Sequence, residues 1–411
     1  MSYLIKKYWM QSPLLEFMKA IRFYLIYLAL VMMLALTACQ NNYHMSTFMN
    51  NAPLTVAHVA IDEASLVLCE KRIFSDAEFE AMIASMVGDD YSLYQQDSSF
   101  LQEEISTDTT QVPQGKPVSI KDLPINKASE LLIVDHNEDV HAITIEREGD
   151  FIAYYRNKKM LVLGQDMCAY NLLRTDDSDE RQFLEWAFPK EANISKETAF
   201  SRATTFINEN NINLSLFFAE PCTVISDNEI LSYGWKFIFT KEINGLQSHF
   251  EDGQWYYINP EHPPVAAAPW DSEFCVIVID DIGLCQFFWE GASTDREQLT
   301  APLFSNAEKL NDCIEEKVKE VFASGIPSEK DKIDIQIADV CLGLSLLSHD
   351  KYGGQYVPSW YVSLRYKWDS SEDQEKNWEN DTIIFNAING DYIEPRVTEE
   401  KLKKIIEEIE A

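Results

Sequence analysis

The chain has 411 residues, 46% of them hydrophobic and 12% aromatic, which is enough apolar material to build sizeable cores and excludes a disordered stalk. Its formal net charge is −33 at pH 7. Binding to nucleic acid requires Lys and Arg to replace counterions, so this acidity excludes nucleic acid as a partner. It also disfavours docking flat on an anionic membrane surface, which attracts basic segments.

The N-terminal segment has the three parts of an export signal. Lys19 and Arg22 form a basic region, residues 23–36 are an unbroken apolar run, and small residues precede a cysteine in Leu36-Thr37-Ala38-Cys39. This is the pattern of a bacterial lipobox, in which Cys39 receives a diacylglyceryl thioether and becomes the mature N-terminus. The apolar segment is shorter than the roughly 20 residues of a membrane-spanning helix, so an uncleaved anchor is disfavoured. Met18 offers an alternative start, which would make residues 1–17 an upstream extension.

Changes in composition predict the organisation of the rest of the chain. Residues 1–38 are a signal peptide, 39–53 a lipidated tether, and 54–189 an N-terminal α+β domain. Two α+β units, residues 190–292 and 300–411, then follow.

In the N-terminal domain, helix and strand signals are both present. Ser75 and Glu78 form a capping box with Phe74 and Phe79 around it, which predicts a helix that ends before Gly88. Short polar connections between the next apolar segments predict a three-stranded meander. Its strands are predicted at 140–147, 151–156 and 160–163.

The remainder contains an internal repeat. In each copy a Ser-capped helix, beginning at Ser195 or Ser305, is followed by strands and by a turn that ends at Gly283 or Gly390. A shift of apolar parity near Ala338 predicts a β-bulge in the second copy. Each unit is expected to be an antiparallel sheet with one face covered by a helix, so the predicted fold class is α+β. An apolar stripe at 402–409 predicts a C-terminal helix that packs on the last sheet.

Several motifs carry a resemblance to uncharacterised lipoproteins of clostridia and other Firmicutes. They are the lipobox, the Gly-Trp-x-Phe-x-Phe strand at 234–239, the acidic turn at 280–283, Val357-Pro358-Ser359-Trp360 and the Asn-Ala-x-x-Gly motif at 386–390. The resemblance covers about residues 190–395. The single units also resemble PepSY-type domains, and their arrangement is similar to membrane-tethered proteins that restrain a cell-wall sensor kinase. This resemblance implies tandem PepSY-like units that bind and regulate, and it implies no catalytic residues.

Seven cysteines follow Cys39, and none forms a Cys-x-x-Cys motif. An odd number argues against a disulfide framework. Cys275 and Cys285 would lie on opposite faces of a hairpin, because side chains alternate along a strand, so a bridge between them is not expected. We interpret most of the cysteines as small buried hydrophobic residues.

Motifs for catalysis are absent from the sequence. It has no Gly-x-Ser-x-Gly elbow, no phosphate-binding Gly-rich loop and no His-Glu-x-x-His. His136 and His141 do not have the spacing of a zinc site, and Asp280-Asp281 lacks the spacing of a calcium loop. No metal and no cofactor are therefore predicted. The abundant carboxylates leave a glycosidase-type pair open.

Aromatic residues give the clearest indication of a binding surface. Trp255, Tyr256, Tyr257 and Trp270 fall in a segment that the first repeat has and the second lacks, and the prolines nearby are unsuited to a central strand. The sequence predicts a non-enzymatic, lipid-anchored protein on the outer face of the bacterial cytoplasmic membrane. It would bind or regulate an envelope protein or glycan, and the alternative is an extracytoplasmic hydrolase that uses paired carboxylates.

Overall fold

The computed structural model describes residues 63–95, 116–124, 128–146, 151–157, 160–175, 177–226, 229–249, 272–303, 310–317, 332–348, 353–369 and 379–393. Several sequence-based predictions lie outside this part of the chain: the signal peptide, the lipid on Cys39, the tether, the cap at Ser305 and the C-terminal helix. Within the described residues the fold is α+β, as predicted.

Four α-helices have their full bounds described, residues 310–317 are also helical, and Ile120–Asp122 form a short 3-10 helix. The helices are α1 (Asp76–Val87), α2 (Gln165–Arg174), α3 (Ser178–Ala187) and α4 (Lys196–Glu209). The strands are β1 (Glu63–Lys71), β2 (Tyr91–Gln95), β3 (Ser129–Asp135), β4 (Val140–Glu146), β5 (Phe151–Tyr155), β6 (Met160–Gly164), β7 (Ser215–Ser226), β8 (Glu229–Thr240), β9 (Glu242–Ile243), β10 (Leu246–Gln247), β11 (Phe274–Ile279), β12 (Leu284–Glu290), β13 (Ser293–Pro302), β14 (Lys332–Ser348), β15 (Gly353–Asp369), β16 (Glu379–Asn386) and β17 (Tyr392–Ile393).

The helix starts follow from local capping. Ser75 and Glu78 form the predicted capping box at α1, and the rings of Phe74 and Phe79 lie 5.3 Å apart. Ser195 accepts a hydrogen bond from the Thr198 N–H at the start of α4, as predicted. In both cases a serine oxygen satisfies a backbone N–H that the helix itself leaves unpaired.

Nine of the described strands form one antiparallel sheet in the order β2-β3-β4-β5-β12-β11-β8-β7-β6. Helices α1 and α4 pack on one face, where Phe79, Ile83 and Phe206 share a core with Phe237 and Phe287 of the sheet. The opposite face buries a second cluster of apolar side chains. Both faces are covered, which explains why β11 is buried along its whole length.

The predicted meander of β4, β5 and β6 is wrong in its last pairing. β4 pairs with β5, but β5 pairs with β12, and β6 pairs with β7 at the far edge of the sheet. Residues 156–159 can span at most about 18 Å, whereas five strand spacings in a flat sheet need about 24 Å. The sheet must therefore curl, and Met160 of β6 packs against the same apolar cluster as Ala153 of β5.

The other described strands, apart from the small β9–β10 hairpin, form a six-stranded sheet. Its order is β13-β1-β15-β16-β17, with β14 paired along the other edge of β15. Leu310 and Ile314 of the helical segment 310–317 are buried against Val340 and Trp360 of this sheet. The predicted bulge is confirmed, since the β14–β15 register shifts between Ile337 and Asp339.

The chain crosses between the two sheets at two neighbouring places. β1 lies in the six-stranded sheet, and α1 follows it into the core of the nine-stranded sheet. β12 belongs to the larger sheet, and β13 continues into the smaller one after Gly291, whose φ is 69°. The Arg72 N–H donates to the Ala292 carbonyl at 2.8 Å, which ties the two crossings together. We call this region the junction.

These pairings also change the predicted domain organisation. The boundary at 189/190 does not separate two sheets, because β5 and β12 from either side of it are hydrogen-bonded neighbours. β7-β8-β11-β12 and β14-β15-β16-β17 are consecutive in their sheets, and each set follows a helix packed on the same sheet. Gly283 and Gly390 both lie in the turn between the third and fourth strands of their set.

Candidate functional site

The residues predicted from the sequence to act in anchoring and binding lie outside the described part of the chain. They are Cys39, Trp255, Tyr256, Tyr257 and Trp270. Their roles stay predictions. The described residues instead bring together three groups of buried charged side chains and two polar cavities.

The first group lies at the acidic turn between β11 and β12. Asp280 is fully buried, and its carboxylate accepts hydrogen bonds from both terminal nitrogens of Arg156 and from Ser232 Oγ at 2.6 Å. The N–H groups of Ile282 and Gly283 also donate to Asp280 Oδ1, each at 3.0 Å. Burial opposes ionisation of Asp280, but these hydrogen bonds outweigh it and hold its pKa well below the usual range. All of its partners are internal, so this carboxylate stabilises the turn.

The second group joins β7, β8 and α2. Lys236 and Glu220 face each other across the β7–β8 pair, with Lys236 Nζ 2.9 Å from Glu220 Oε1. The other oxygen of Glu220 accepts from the Asp166 N–H at 2.8 Å. Gly164, the residue before α2, has no side chain that could cap the helix. Glu220 therefore supplies the missing cap, and its negative charge is favourable at a helix N-terminus.

The third group, at the junction, links the two sheets. Glu273 is 4% exposed and accepts hydrogen bonds from Trp289 Nε1 at 3.2 Å and from the backbone N–H and hydroxyl of Ser293 at 3.2 and 2.8 Å. Its own N–H donates to the hydroxyl of Tyr356 on β15 at 3.0 Å. Burial raises the pKa of Glu273 and also the pKa of Tyr356. Residues far apart in sequence thus meet here in one hydrogen-bonded cluster.

Lys241 completes this junction cluster, which we define as Lys241, Glu273, Ser293, Asp295 and Tyr356. The ammonium of Lys241 is 2.8 Å from Asp295 Oδ1 and 3.9 Å from Glu273 Oε2. Its side chain is 4% exposed, whereas that of Asp295 is 44% exposed. A buried ammonium therefore meets one buried and one accessible carboxylate. This arrangement can hold the sheets together and can also present polar groups to a ligand at the surface.

Two cavities lie at the junction on either side of Asp295. The first has a volume of about 230 Å³, and we call it the Arg72 cavity; its wall includes Arg72, Asn211, Asn213, Lys241, Glu273 and Thr294. The second has a volume of about 320 Å³, and we call it the Asn244 cavity; its wall includes Val67, Glu242, Ile243, Asn244, Arg296 and Glu297. Asp295 contributes to both cavities. Concave sites with convergent polar groups are the default place to look for ligand binding.

The described cysteines do not have the character of nucleophiles. All seven are free thiols, and five of them are buried. Burial raises the pKa of Cys69 to about 12, so its reactive thiolate is scarce at neutral pH. Cys275 and Cys285 belong to apolar clusters on opposite faces of the larger sheet, as predicted from strand alternation.

The buried carboxylates bear on the hydrolase alternative. Asp280, Glu220 and Glu273 each have a cation as their nearest charged partner. A glycosidase requires two carboxyl groups that face one another across the scissile bond. The observed pairing is that of ion pairs within the fold. No group of three or more His, Cys, Asp or Glu side chains suited to a metal ion occurs among the described residues.

The sequence analysis placed Asp280 in an acidic turn but did not predict its burial, and it missed the junction cluster. A signal was present, since Lys236 interrupts the apolar strand β8, Lys241 directly follows it and Glu273 directly precedes β11. Charged residues at such places are buried and need partners. Which partners they find depends on strand pairing that the sequence does not reveal.

Comparisons with known proteins add no functional information. No protein-family model matches the chain, and a search of curated proteins finds no match. The chain is similar to the crystal structure of an uncharacterized protein from Eubacterium rectale ATCC 33656, with a TM-score of 0.49 and 12% sequence identity. That alignment covers 85% of this chain and 92% of the other. Over the described residues, no helix has the length and apolar character needed to cross a membrane.

Proposed function

We propose that this protein is a non-enzymatic, lipid-anchored binding protein of the bacterial cell envelope, held on the outer face of the cytoplasmic membrane through Cys39. The observation that carries the binding role is the junction, where two polar cavities open beside a buried ionic cluster. The buried carboxylates and thiols are already used inside the fold, which favours binding over catalysis. The lipobox supports the location.

The two helix-on-sheet units are further inferred to be tandem PepSY-like modules. The order helix, strand, strand, strand, glycine turn, strand occurs in both and supports this relation. PepSY-like modules would give the protein a regulatory role toward an envelope partner. Superposition of residues 190–292 on 300–397 is the direct test, and non-equivalent positions for Gly283 and Gly390 would exclude the relation.

The anchor is tested by replacing Cys39 with Ser. The Ser variant should be released from membranes or remain unprocessed, since serine cannot form the thioether. Fractionation followed by mass spectrometry of the N-terminal peptide distinguishes these results. A Ser variant that is processed and still sediments with membranes would exclude the lipoprotein assignment.

The binding role is tested by crosslinking in the native envelope, followed by mass spectrometry. Trp255→Ala and Trp270→Ala should reduce capture of the partner with little change in melting temperature, if the predicted aromatic surface is used. A large fall in melting temperature would instead assign these tryptophans to a core. Hydrolysis of an envelope glycan by the purified protein would favour the alternative function, an extracytoplasmic hydrolase.

A further inference from the structure

Asp295 connects the Arg72 cavity and the Asn244 cavity, so one ligand can contact both. Lys241 lies 2.8 Å from Asp295 Oδ1 and fixes that carboxylate at the rim. The second oxygen, Oδ2, has no hydrogen-bond partner within the described part of the chain. Lys241 and Glu273, which also line the Arg72 cavity, are both more than nine-tenths buried. The two cavities therefore share the Asp295 carboxylate as an oriented acceptor, and the buried charged side chains of Lys241 and Glu273 lie next to it.

The walls of both cavities carry hydrogen-bond donors and acceptors. Arg72, Lys241 and Asn213 bring donors, whereas Asp295 and Glu297 bring acceptors. Val67 and Ile243 provide the apolar part of the Asn244 cavity. A ligand that fits such walls must both donate and accept hydrogen bonds. Hydroxyl groups do both, so a polyhydroxylated ligand matches this chemistry.

Part of this hydrogen-bonding capacity is unused by the fold. The side chains of Asn211, Asn213 and Thr294 line the Arg72 cavity and have no hydrogen-bond partner among the described residues. Asn211 is held with a positive φ of 52°, a conformation in which asparagine is enriched. These groups can bind a ligand without breaking a contact inside the protein.

The charge of the site selects against anions. Glu242, Asp295 and Glu297 surround the Asn244 cavity, and Arg296 is ion-paired with Glu70. The chain as a whole carries −33. An anionic ligand would be repelled both locally and at long range. In the Arg72 cavity, by contrast, the two cations Arg72 and Lys241 are matched by the two carboxylates Glu273 and Asp295. A neutral ligand is therefore the one that suits both cavities.

We propose that the junction binds a neutral oligosaccharide, with neighbouring sugar rings in the two cavities and the shared Asp295 carboxylate accepting from hydroxyls of both. Each cavity lies near or below the lower end of the range for small-molecule sites, which suits one ring in each. This assignment rests on the proposed binding function and names the chemical class of its ligand.

The test uses the full-length protein in detergent and three probes: the tetramer of β-1,4-linked N-acetylglucosamine, cellotetraose and anionic trigalacturonate. Saturation-transfer NMR and calorimetry should detect binding of at least one neutral probe and none of trigalacturonate. Asp295→Ala should weaken that binding at least tenfold, because it removes a charged acceptor from both cavities. Asn213→Ala and Glu297→Ala should each weaken it at least threefold.

Matched controls lie on exposed positions away from the cavities. Asn137→Ala, in the turn between β3 and β4, and Glu229→Ala should leave binding unchanged, and thermal melting should show that all five variants are folded. Absence of binding to both neutral probes, equal affinity for trigalacturonate, or an unaltered Asp295→Ala variant would overturn the proposal. If crosslinking still captures an envelope protein in that case, the binding function stands and only the oligosaccharide assignment fails.

Discussion

Replacing Asp280 with Asn tests whether the buried turn carboxylate holds this part of the fold together. Asp280 is fully buried and carries the charge that neutralises Arg156, whose side chain is 15% exposed. Asparagine keeps one oxygen for the N–H groups of Ile282 and Gly283 but places an amide NH₂ where Arg156 and Ser232 now donate. Donors would then face donors, and the guanidinium would lose its counter-charge.

Breaking a buried ion pair by removing one partner costs about 3–5 kcal/mol. At roughly 2–4 °C for each kcal/mol in a domain of this size class, the melting temperature of Asp280→Asn should fall by about 6–20 °C. Unfolding followed by near-ultraviolet circular dichroism, with heat and with urea, measures both quantities.

Asp281→Asn is the matched control. The Asp281 side chain is exposed, and its nearest hydrogen-bond partner, Asn193 Nδ2, is 3.5 Å away. Arg202 donates to the backbone carbonyls of both aspartates, a contact that neither substitution removes. The control should stay within about 0.5 kcal/mol of the parent protein. If the two Asn variants unfold within about 2 °C of each other, the assigned role of Asp280 is refuted.

Three further predictions follow from the packing and the charges. The folded pKa of Asp280 lies below its unfolded value of about 3.9, so its stabilisation is present above that pH and lost as the pH falls below it. The stability gap between the parent protein and Asp280→Asn should therefore shrink between about pH 5 and pH 3 in urea titrations; a constant gap would contradict this. Gly234→Ala should destabilise by about 1–3 kcal/mol or more in urea, because the new Cβ would lie 2.4 Å from the Ile279 carbonyl oxygen, and a neutral result would show that the strands can move apart. Cys222 and Cys285 are fully buried with raised pKa values, so they should react with a thiol reagent at pH 8 only after unfolding, and rapid labelling of the native protein would disprove their burial.

The stability of the junction should depend on pH in the sense opposite to that of the Asp280 turn. Burial raises the pKa of Glu273 above its unfolded value, so its contribution is complete at acidic pH and is lost as the pH rises through the folded pKa. Three hydrogen bonds and the nearby Lys241 ammonium offset part of the free-energy cost of burying the ionised Glu273 carboxylate. Glu273→Gln should therefore remove this pH dependence while preserving most of the hydrogen bonds, and urea titrations of the two proteins from pH 4 to about 8 would measure it.

The sequence by itself determined the features that depend on neighbouring residues. Ser75 caps its helix, Gly283 lies in its turn, and the bulge after Ile337 falls where the apolar parity shifts. Each of these follows from backbone dihedral angles and hydrogen bonds within a few residues. The opposite faces of Cys275 and Cys285 follow in the same way from the two-residue period of a strand.

Only the tertiary structure decided which strands pair and which charges meet. β5 has a short connection to β6 but pairs with β12, whose apolar side chains include Phe288, in edge-to-face contact with Phe151 at 4.9 Å. That choice curls the larger sheet and joins segments that the sequence divides into two domains. Separately, the pairing of β11 with both β8 and β12 brings together Lys241, Glu273 and Asp295. Pairing between distant strands depends on competition among all available edges, and no local pattern encodes the outcome of that competition.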